Sequence, residues 1–379
     1  MAKALEGLRV LDFTTTIAGP HCTRMLSDLG AEVIKVEAPE GDMMRTRPPM
    51  REGASTSFGQ LNAGKKSVVL DLKDKSAVAA VRALVKGVDV LVENYRPGVM
   101  KRLGLDYDSL KPLNPKLIYC AISGYGQTGP SADRAAYAPM IHAASGFDLA
   151  NMSYQEGRER PDYCGVYVAD VLAGTYAYCG IMTALHQRQR TGEGQMVDVS
   201  MLESMLTLTL TEIQLAQFPI QRVGRPPFGP VATKDGYIMP AIASEKTFQG
   251  LCHAAGHPEW IKDPRFALYD NRRLHWDPLF EGLEVWSRQL TTAECQAAFD
   301  QHGVPSSAYR TVKQAMSDPQ LAHRDAFATV HDAGGSFQVV NPPFRMTGSV
   351  VRAGERASKL GEHTREVLDR IGLAEKEEA

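Results

Sequence analysis

The chain contains 379 residues, more than one hydrophobic core usually serves, so we expect one large and one small domain. Lys and Arg together number 42 and Asp and Glu number 44, which gives a net charge of −2. This balance argues against nucleic acid as the main partner, because neutralising phosphates needs a basic excess or a basic stripe. The hydrophobic share of 44% and the charged share of 23% are typical of a soluble globular protein.

The cysteine pattern indicates a reducing compartment and no metal site. None of the six cysteines has the spacing of a zinc site, so we expect reduced thiols in a cytoplasmic protein. The N-terminal residues MAKALEGLRVLDF contain no long apolar run, so we expect no signal peptide. Charges interrupt the apolar stretches before about 18 residues, which predicts no transmembrane helix.

The first half of the chain alternates between strand and helix patterns. Short β-rich or apolar runs predict strands over residues 8–13, 31–37, 66–72, 88–94 and 116–123. Helical spacing of apolar residues predicts helices between Gly19 and Gly30, over 75–86 and over 97–103. Such alternation is typical of an α/β domain with a doubly wound parallel sheet.

The pattern changes after Gly165. We expect a long apolar helix over 166–189, then a turn into a strand over 191–201 and a helix to about Phe218. The Pro- and Gly-rich residues 218–230 predict a linker. The following smaller unit has a predicted strand near 236–243 and predicted helices near 246–255, 276–290 and 291–301, the last with a capping box formed by Thr291 and Glu294. A short helix over 362–371 and a frayed tail, AEKEEA, complete the prediction.

Asp170 is the single carboxylate of the apolar stretch GVYVADVLAG, residues 165–174. Charged groups rarely stand in such surroundings unless they are paired or used. One interpretation is an N-cap for a helix that begins at Val171. The other is a carboxylate nucleophile at a helix start, where the helix dipole keeps it ionised. The two interpretations are compatible.

Other motifs each permit a functional and a structural interpretation. GYGQTG, residues 124–129, matches a dinucleotide fingerprint, but Pro130 and Ser131 interrupt it where a helix should run, which favours a plain glycine loop. His142 stands among apolar residues and is interpreted as a satisfied core histidine. Two further segments could bind carboxylates or phosphates at a sheet edge, or could be solvated loops: the arginine-rich segment 40–53 and VENYRPGVMKRLGL, residues 92–105.

Several long blocks, taken in order, closely resemble the class III CoA-transferases of the CaiB/BaiF type. They are LEGLRVLDFTTTIAGPHCTRMLSDLGAEVIKVEAPEGDMMR, NAGKKSVVLDLK, LVENYRPGVMKRLGL, NPKLIYCAISGYGQTGP, AYAPMIHAASG and TGEGQMVDVSM. The similarity covers at least residues 5–210, and GVPSSAYRTVKQAMSDPQ extends it towards the C-terminus.

The resemblance implies a fold. It implies a Rossmann-like large domain built from both chain ends, a smaller α+β domain from the middle, and two chains interlocked as a homodimer. On this sequence, we expect residues 1–218 to form the N-terminal part of a large CoA-binding domain. Residues 219–330 are then the linker and small domain, and residues 331–379 return to the large domain.

The resemblance also implies a chemistry. The family's nucleophilic aspartate matches Asp170, which would attack an acyl-CoA thioester to give an aspartyl-acyl anhydride, then an aspartyl-CoA thioester, and finally charge an acceptor acid. No permanent cofactor is implied, because coenzyme A enters as part of the substrate. The family's coenzyme A pocket carries over to Leu70, Lys73, Asn94, Tyr95, Arg102 and Tyr137.

Alternative functions stay open at this stage. A related branch racemises 2-methylacyl-CoA esters with a histidine where Tyr137 stands here, and a tyrosine with an ordinary pKa near 10 suits that proton transfer poorly. An NAD-dependent oxidoreductase would use the glycine motif, and a non-catalytic CoA binder would keep its affinity after Asp170→Ala. Within the transferase interpretation, Arg47 and Arg51 could bind a second carboxylate, which suggests a dicarboxylic acid with succinyl-CoA as donor. Arg45 or Arg47 could also support the nucleotide.

Overall fold

The computed structural model describes residues 2–155, 157–218 and 228–372. The chain divides into two compact units, of which the first contains Met1–Ile213 and Gln320–Ala379 and the second contains Gln214–Pro319. The boundaries predicted from the sequence, after residues 218 and 330, both lie further along the chain than the structural boundaries, after residues 213 and 319. Most of the predicted linker and the predicted frayed tail fall outside the described residues.

The first unit is built on a six-stranded sheet in which every pair of neighbouring strands is parallel. In chain order the strands are β1 (Arg9–Asp12), β2 (Glu32–Glu37), β3 (Lys66–Val69), β4 (Val90–Glu93), β5 (Ile118–Ser123) and β6 (Met196–Ser200). Their spatial order is β3-β2-β1-β4-β5-β6. This is the order of a doubly wound Rossmann-type sheet, so the predicted α/β class is confirmed.

Both faces of this sheet are buried, which explains why its strands are apolar on both sides. In β1, Val10 belongs to the core cluster on one face and Leu11 to the cluster on the other. In β4, Val90 and Val92 join the first cluster and Leu91 joins the second. Successive side chains of a strand point to opposite faces, so a sheet covered on both faces needs a continuous apolar run.

The helices of the first unit cover the sheet and its edges. Their bounds are Ala18–Asp28 (α1), Met43–Thr46 (a 3-10 turn), Thr56–Asn62, Lys75–Val85, Val99–Arg102, Tyr107–Leu110, Ala138–Ala144, Phe147–Met152, Val168–Thr191, Met201–Leu206 and Thr364–Asp369. Helices Leu210–Gln217 and Pro319–His323 lie at the division between the units. The first unit also contains two small antiparallel pairs of strands, Met50–Arg51 with Ala54–Ser55 and Phe327–Asp332 with Gly335–Val340.

Val168–Thr191, called the long helix below, is long and apolar enough to cross a membrane by length and composition, contrary to the expectation that charges interrupt every such stretch. This is weak evidence for a membrane span, because the core helix of a globular protein passes the same test. One stripe of the helix, which includes Ala169, Ala173, Ala177 and Ile181, is buried in the first core cluster. The helix is therefore a core element of the first unit.

The second unit has its own core. Its three-stranded antiparallel sheet has the order Ser306–Ala308, Tyr237–Pro240, Val231–Ala232. Its helices are Glu245–Ala254, Pro258–Lys262 (a 3-10 turn), Tyr269–Leu274, Trp276–Ser287, Thr292–Gln301 and Val312–Met316. The predicted capping box of Thr291 and Glu294 is confirmed at the start of Thr292–Gln301.

Candidate active site

Asp170 lies in the first turn of the long helix and is half-buried. The helix begins at Val168, two residues before Asp170, so the interpretation of Asp170 as an N-cap of a helix starting at Val171 is wrong. The residue at the N-cap position is Tyr167, whose side chain makes no capping hydrogen bond. Asp170 is therefore not the capping residue of its helix.

The backbone N–H of Ala18, the first residue of α1, and the backbone N–H of Asp170 itself act on the Asp170 carboxylate and favour its charged form. Two helix N-termini therefore meet at this group, and both favour a negative charge. Gly174, one turn further along the long helix, makes this approach possible. A Cβ at Gly174 would collide with the Ala18 carbonyl oxygen.

Burial raises the pKa of Asp170 from 3.8 to about 6, although the N–H groups of Ala18 and of Asp170 itself lower it. Loss of hydration disfavours the charged form of a carboxyl group, whereas N–H donors favour it. The result is a carboxylate that is ionised at neutral pH and poorly hydrated. Such a group is suited to nucleophilic attack.

The long helix is capped by His142, which lies outside the helix, and not by the residue at its N-cap position. Its Nε2 accepts a hydrogen bond from the Ala169 backbone N–H at 3.1 Å, and its ring is buried. Because Nε2 accepts, the ring is neutral with its proton on Nδ1. Burial lowers the pKa of His142 and so favours the neutral ring, although Asp148 acts in the opposite direction. His142 is a buried core residue as predicted, but it is satisfied only at Nε2, because Nδ1 is buried without a hydrogen-bond partner among the described residues. The bond to Ala169 places His142 next to Asp170.

The loop between β1 and α1 stands at the point where the strand order of the sheet reverses. In open α/β sheets ligands bind at this point, outside the carboxyl ends of the strands. Four charged side chains lie buried beneath the loop and are called the buried ion cluster: Asp12, Lys35, Asp42 and Lys65. Lys65 Nζ lies 3.0 Å from Asp12 Oδ2, and Lys35 Nζ lies 2.9 Å from Asp42 Oδ2. Lys35, in β2, also donates to the Thr14 carbonyl at 2.7 Å, so the cluster ties β2 to the loop that follows β1.

The residues predicted to bind coenzyme A occupy three places at the carboxyl edge of the sheet. Leu70 is buried directly after β3, and Lys73 is exposed in the turn that follows. Asn94 and Tyr95 follow β4 and are half-buried, and Arg102 is exposed at the end of helix Val99–Arg102.

Asn94 has structural partners, and Tyr95 lies in a buried environment. The Asn94 amide accepts a hydrogen bond from the Thr15 N–H at 2.8 Å and donates one to the Thr15 carbonyl at 2.9 Å. Burial raises the pKa of Tyr95 to about 12. Tyr137, at the N-cap of helix Ala138–Ala144, is 58% exposed and available to a ligand. Binding of coenzyme A by these six residues stays a prediction.

The three arginines of the segment 40–53 differ in what they contact. Arg45 donates two hydrogen bonds of 2.7 Å to the Glu37 carboxylate and stacks on the Phe58 ring. Arg51 pairs with Asp332 at 2.8 Å. Arg47 is exposed, and although its backbone bonds to Met44 and Ser55, its guanidinium makes no hydrogen bond or ion pair with any residue that the structure describes. Arg47 is therefore the one of the three that is free to receive a ligand.

The glycine motif of residues 124–129 does not open a helix, because the next helix of the described residues begins at Ala138. Gly126 and Gly129 have φ values of 89° and 99°, a conformation that favours glycine in a turn. Among all the residues that the structure describes, no group of three His, Cys, Asp or Glu side chains could bind a metal ion. The glycine loop serves the turn at the end of β5.

We expect the rate of any reaction in which Asp170 attacks to depend on pH. The ionised form is the nucleophile, so kcat/KM should be constant well above pH 6 and fall about tenfold per pH unit below it, since the pKa of Asp170 is raised to about 6. Initial rates between pH 5 and pH 9 measure this, with circular dichroism at each pH as the control for folding. A rate that stays level down to pH 5 would contradict the assignment.

The chain is similar to known proteins over nearly its whole length. The family model described as CoA-transferase family III matches residues 5–364. The chain is 35% identical to a succinyl-CoA–D-citramalate CoA-transferase of Chloroflexus aurantiacus, over 98% of this chain and 95% of that protein. It is 34% identical to the succinyl-CoA:glutarate CoA-transferase of Mus musculus, over 97% and 86% of the two chains.

Solved structures agree with these relatives. A CaiB/BaiF family protein from Brucella suis superposes with a TM-score of 0.87 at 32% identity, covering 98% of this chain and all of the other. Rv3272 from Mycobacterium tuberculosis gives a TM-score of 0.85 at 32% identity, over 96% and 98% of the two chains. The family match replaces the NAD interpretation of the glycine motif, and the chain belongs to CoA-transferase family III.

Proposed function

We propose that this enzyme moves CoA from succinyl-CoA to a dicarboxylic acid, with Asp170 as the nucleophile. The observation that carries the proposal is the position of Asp170, half-buried in the first turn of the long helix, which packs against Ala18 at the start of α1. The two curated relatives described above are named as transferases that take CoA from succinyl-CoA, one to D-citramalate and one to glutarate. Both of these acceptors carry two carboxylates.

The proposed reaction has four balanced steps. The Asp170 carboxylate attacks the donor thioester, and CoA leaves as a thiolate while an aspartyl-acyl anhydride forms. The thiolate attacks the aspartyl carbonyl, which releases the donor acid with one oxygen atom from Asp170 and leaves an aspartyl-CoA thioester. The acceptor carboxylate attacks this thioester and displaces the thiolate. The thiolate then attacks the acceptor carbonyl, which releases the new acyl-CoA and regenerates the Asp170 carboxylate.

The environment of His142 supports a transferase over a racemase of the same fold. A racemase needs a second acid or base opposite the aspartate, and Tyr137 stands where that branch has its histidine. The nearby His142 cannot substitute through Nε2, because that atom is bonded to the Ala169 N–H. Deuterium uptake at the α-carbon of an acyl-CoA ester, without any acceptor acid, would favour the racemase instead.

Arg47 supports a dicarboxylic substrate. It follows the 3-10 turn Met43–Thr46, whose Met43 Sδ accepts a hydrogen bond of 3.5 Å from the Thr16 hydroxyl. Thr16 stands two residues before Ala18, the partner of Asp170. An unpaired guanidinium on this turn is suited to the second carboxylate of a substrate whose first carboxylate reacts at Asp170.

Replacing Arg47 by methionine is expected to raise KM for succinate or glutarate by about 10- to 100-fold, because a charge-assisted hydrogen bond to a carboxylate is lost. KM for a monocarboxylate such as butyrate should stay the same. Arg190→Met is a suitable control, since Arg190 is an exposed arginine at the end of the long helix. Equal effects on mono- and dicarboxylates would count against this role for Arg47.

The surface of the long helix supports a homodimer. Opposite its buried stripe, Val171, Cys179 and Thr183 lie exposed on one face. An apolar helix that buries one face in its own chain is suited to burying the other in a second copy. Light scattering should therefore give twice the mass of one chain, and a monomer at micromolar concentration would contradict the proposal.

Binding of coenzyme A at the carboxyl edge of the sheet is part of the same proposal. Leu70 and Tyr95 would pack against the adenine, while Lys73 and Arg102 would bind the phosphates. Asn94 would contribute through the Thr15 loop, and Tyr137 would lie near the thioester.

All six cysteines are free thiols, which supports a cytoplasmic location.

An exchange assay tests the proposed function. The purified protein is mixed with succinyl-CoA or acetyl-CoA and a pool of mono- and dicarboxylic acids, and new CoA thioesters are identified by mass spectrometry. The proposal expects succinyl-CoA to be used and dicarboxylates to be preferred. Formation of monocarboxyl thioesters alone would overturn the substrate class, and formation of none would overturn the transferase.

A further inference from the structure

The loop from Thr14 to Ile17, which connects β1 to α1, is held by four side chains from outside the loop. Each of its first three backbone N–H groups donates to a different side-chain oxygen. These bonds join Thr14 to Asp12 (2.9 Å), Thr15 to Asn94 (2.8 Å) and Thr16 to Asp42 (3.3 Å). Two carbonyl groups are held as well, that of Thr14 by Lys35 Nζ (2.7 Å) and that of Thr15 by the Asn94 amide (2.9 Å).

Thr16 has an unusual backbone conformation within this loop. Its φ is 70°, in the left-handed region that β-branched residues rarely adopt. Such a conformation persists where the surroundings determine it, and it is found most often at functional sites. The side chain that holds the Thr16 N–H is Asp42.

Asp42 is itself rigidly placed. Its side chain is buried, with Oδ2 2.9 Å from Lys35 Nζ. Its backbone N–H donates to Glu37 Oε2 at 3.0 Å, and its Oδ1 caps the Met43–Thr46 turn by accepting from the Met44 N–H at 2.9 Å. The same Oδ1 accepts from Thr16. One carboxylate therefore joins the turn that carries Arg47 to the loop that leads to α1.

The loop ends at the group that contacts Asp170. Two residues after Thr16, Ala18 packs against the long helix one turn from Asp170, where a Cβ at Gly174 would collide with the Ala18 carbonyl oxygen, and its N–H lowers the pKa of Asp170. We propose that Asp42 is a positioning residue for the transfer reaction, which holds Thr16 in its left-handed conformation and thereby fixes the Ala18 N–H against the nucleophile. This inference rests on the proposed role of Asp170.

Replacing Asp42 by alanine tests the inference by kcat and by the titration of Asp170. Loss of the clamp should lower kcat at saturating acyl-CoA by about 10- to 100-fold, since small misplacements of reacting groups have effects of this size. It should also move the acid limb of the rate profile to higher pH, because the Ala18 N–H lowers the pKa of Asp170. Asp42→Asn retains the Oδ1 acceptor and should recover most of the lost kcat, even if it lowers the melting temperature.

A second substitution separates positioning from general stability. Glycine adopts positive φ without strain, so Thr16→Gly in the Asp42→Ala background should restore part of kcat and the acid limb. A residue that only stabilised the Met43–Thr46 turn would not be rescued in this way. An Asp42→Ala protein with the kcat and acid limb of the parent, or a double variant no better than the single one, would overturn the inference. If Asp42→Ala does not fold, Asp42→Asn alone decides: a loss of kcat as large as about 100-fold would overturn it.

Labelling of carboxyl groups by a carbodiimide distinguishes failure of this inference from failure of the proposed function. The reagent modifies the protonated acid, so its pH dependence at the peptide containing Asp170 reports the titration without any turnover. A shifted titration in Asp42→Ala supports the positioning role even in a protein without exchange activity. An unshifted titration overturns that role while leaving Asp170 as the nucleophile.

Discussion

Replacing Asp170 by asparagine is expected to lower kcat for CoA exchange by at least about 10³-fold, a typical effect of removing a covalent nucleophile. The amide retains the size of the side chain and an oxygen that can accept from the Ala18 N–H, but it cannot form the anhydride. Exchange between succinyl-CoA and a labelled acid, followed by mass spectrometry, measures the effect. Binding of the thioester, measured by calorimetry, should change only a few-fold.

A matched substitution at an exposed carboxylate controls for the loss of charge. Asp108 lies exposed in helix Tyr107–Leu110, so Asp108→Asn should leave kcat within about twofold. Activity of Asp170→Asn close to that of Asp108→Asn would remove Asp170 from the chemistry. A parent protein that binds the thioester tightly but exchanges nothing would instead indicate a non-catalytic CoA binder.

Replacing Lys65 by methionine is expected to lower the free energy of unfolding by about 3–5 kcal/mol, because it leaves a buried partner charge uncompensated. The Lys65 ammonium is buried and lies within hydrogen-bond distance, 2.7 to 3.0 Å, of four oxygen atoms, those of Asp12, Pro20, Thr23 and Asn62. Burial lowers the pKa of Lys65 to about 8, so it is charged at pH 7. Although burial raises the pKa of Asp12, the two lysines beside it outweigh that effect and keep it ionised.

The neighbouring lysine provides the control. Lys66 is partly exposed and pairs with Glu32 and Glu366 at the surface, so Lys66→Met should cost less than about 1 kcal/mol. Denaturant unfolding of both variants at pH 7 gives the comparison. Equal costs would contradict the account of the buried ion cluster, whereas partial recovery in Lys65→Met with Asp12→Asn would support it, since both charges are then removed.

The sequence predicts the secondary structure of the sheet well because its signals are local. All six strands fall within the predicted runs, since a sheet covered on both faces needs short apolar segments. The predicted single helix after residue 201 is in fact two helices, Met201–Leu206 and Leu210–Gln217. Between them the hydroxyls of Thr207 and Thr209 donate to backbone carbonyls three residues earlier, which competes with continued helix.

Features that depend on distant residues could not be predicted. The hairpin of Phe327–Asp332 and Gly335–Val340 is an exception, since its turn of Ala333 and Gly334 is a local signal that was overlooked. The spatial order of the six strands follows from packing and not from any local pattern. The predicted role of Arg51 towards a substrate carboxylate is replaced by its ion pair with Asp332, which is distant in sequence.

In the candidate site too, local features can be predicted from the sequence and contacts between distant residues cannot. The apolar surroundings of Asp170 single it out from sequence, because an isolated carboxylate there needs a reason. Its contacts with Ala18 and the capping of Ala169 by His142 join parts of the chain that no periodicity connects. The sequence could have indicated Asp42 as the cap of the Met43–Thr46 turn. It could not have indicated that the same oxygen holds Thr16.

The most direct test of the central claim follows oxygen atoms. In the proposed reaction, one carboxylate oxygen of the acceptor acid remains on Asp170 after each turnover. An acceptor acid labelled with oxygen-18 is incubated with the enzyme and acyl-CoA, and the peptide containing Asp170 is analysed by mass spectrometry. We predict that this peptide gains oxygen-18 as the new thioester forms. Formation of the thioester without label in the peptide would contradict an aspartyl intermediate at Asp170.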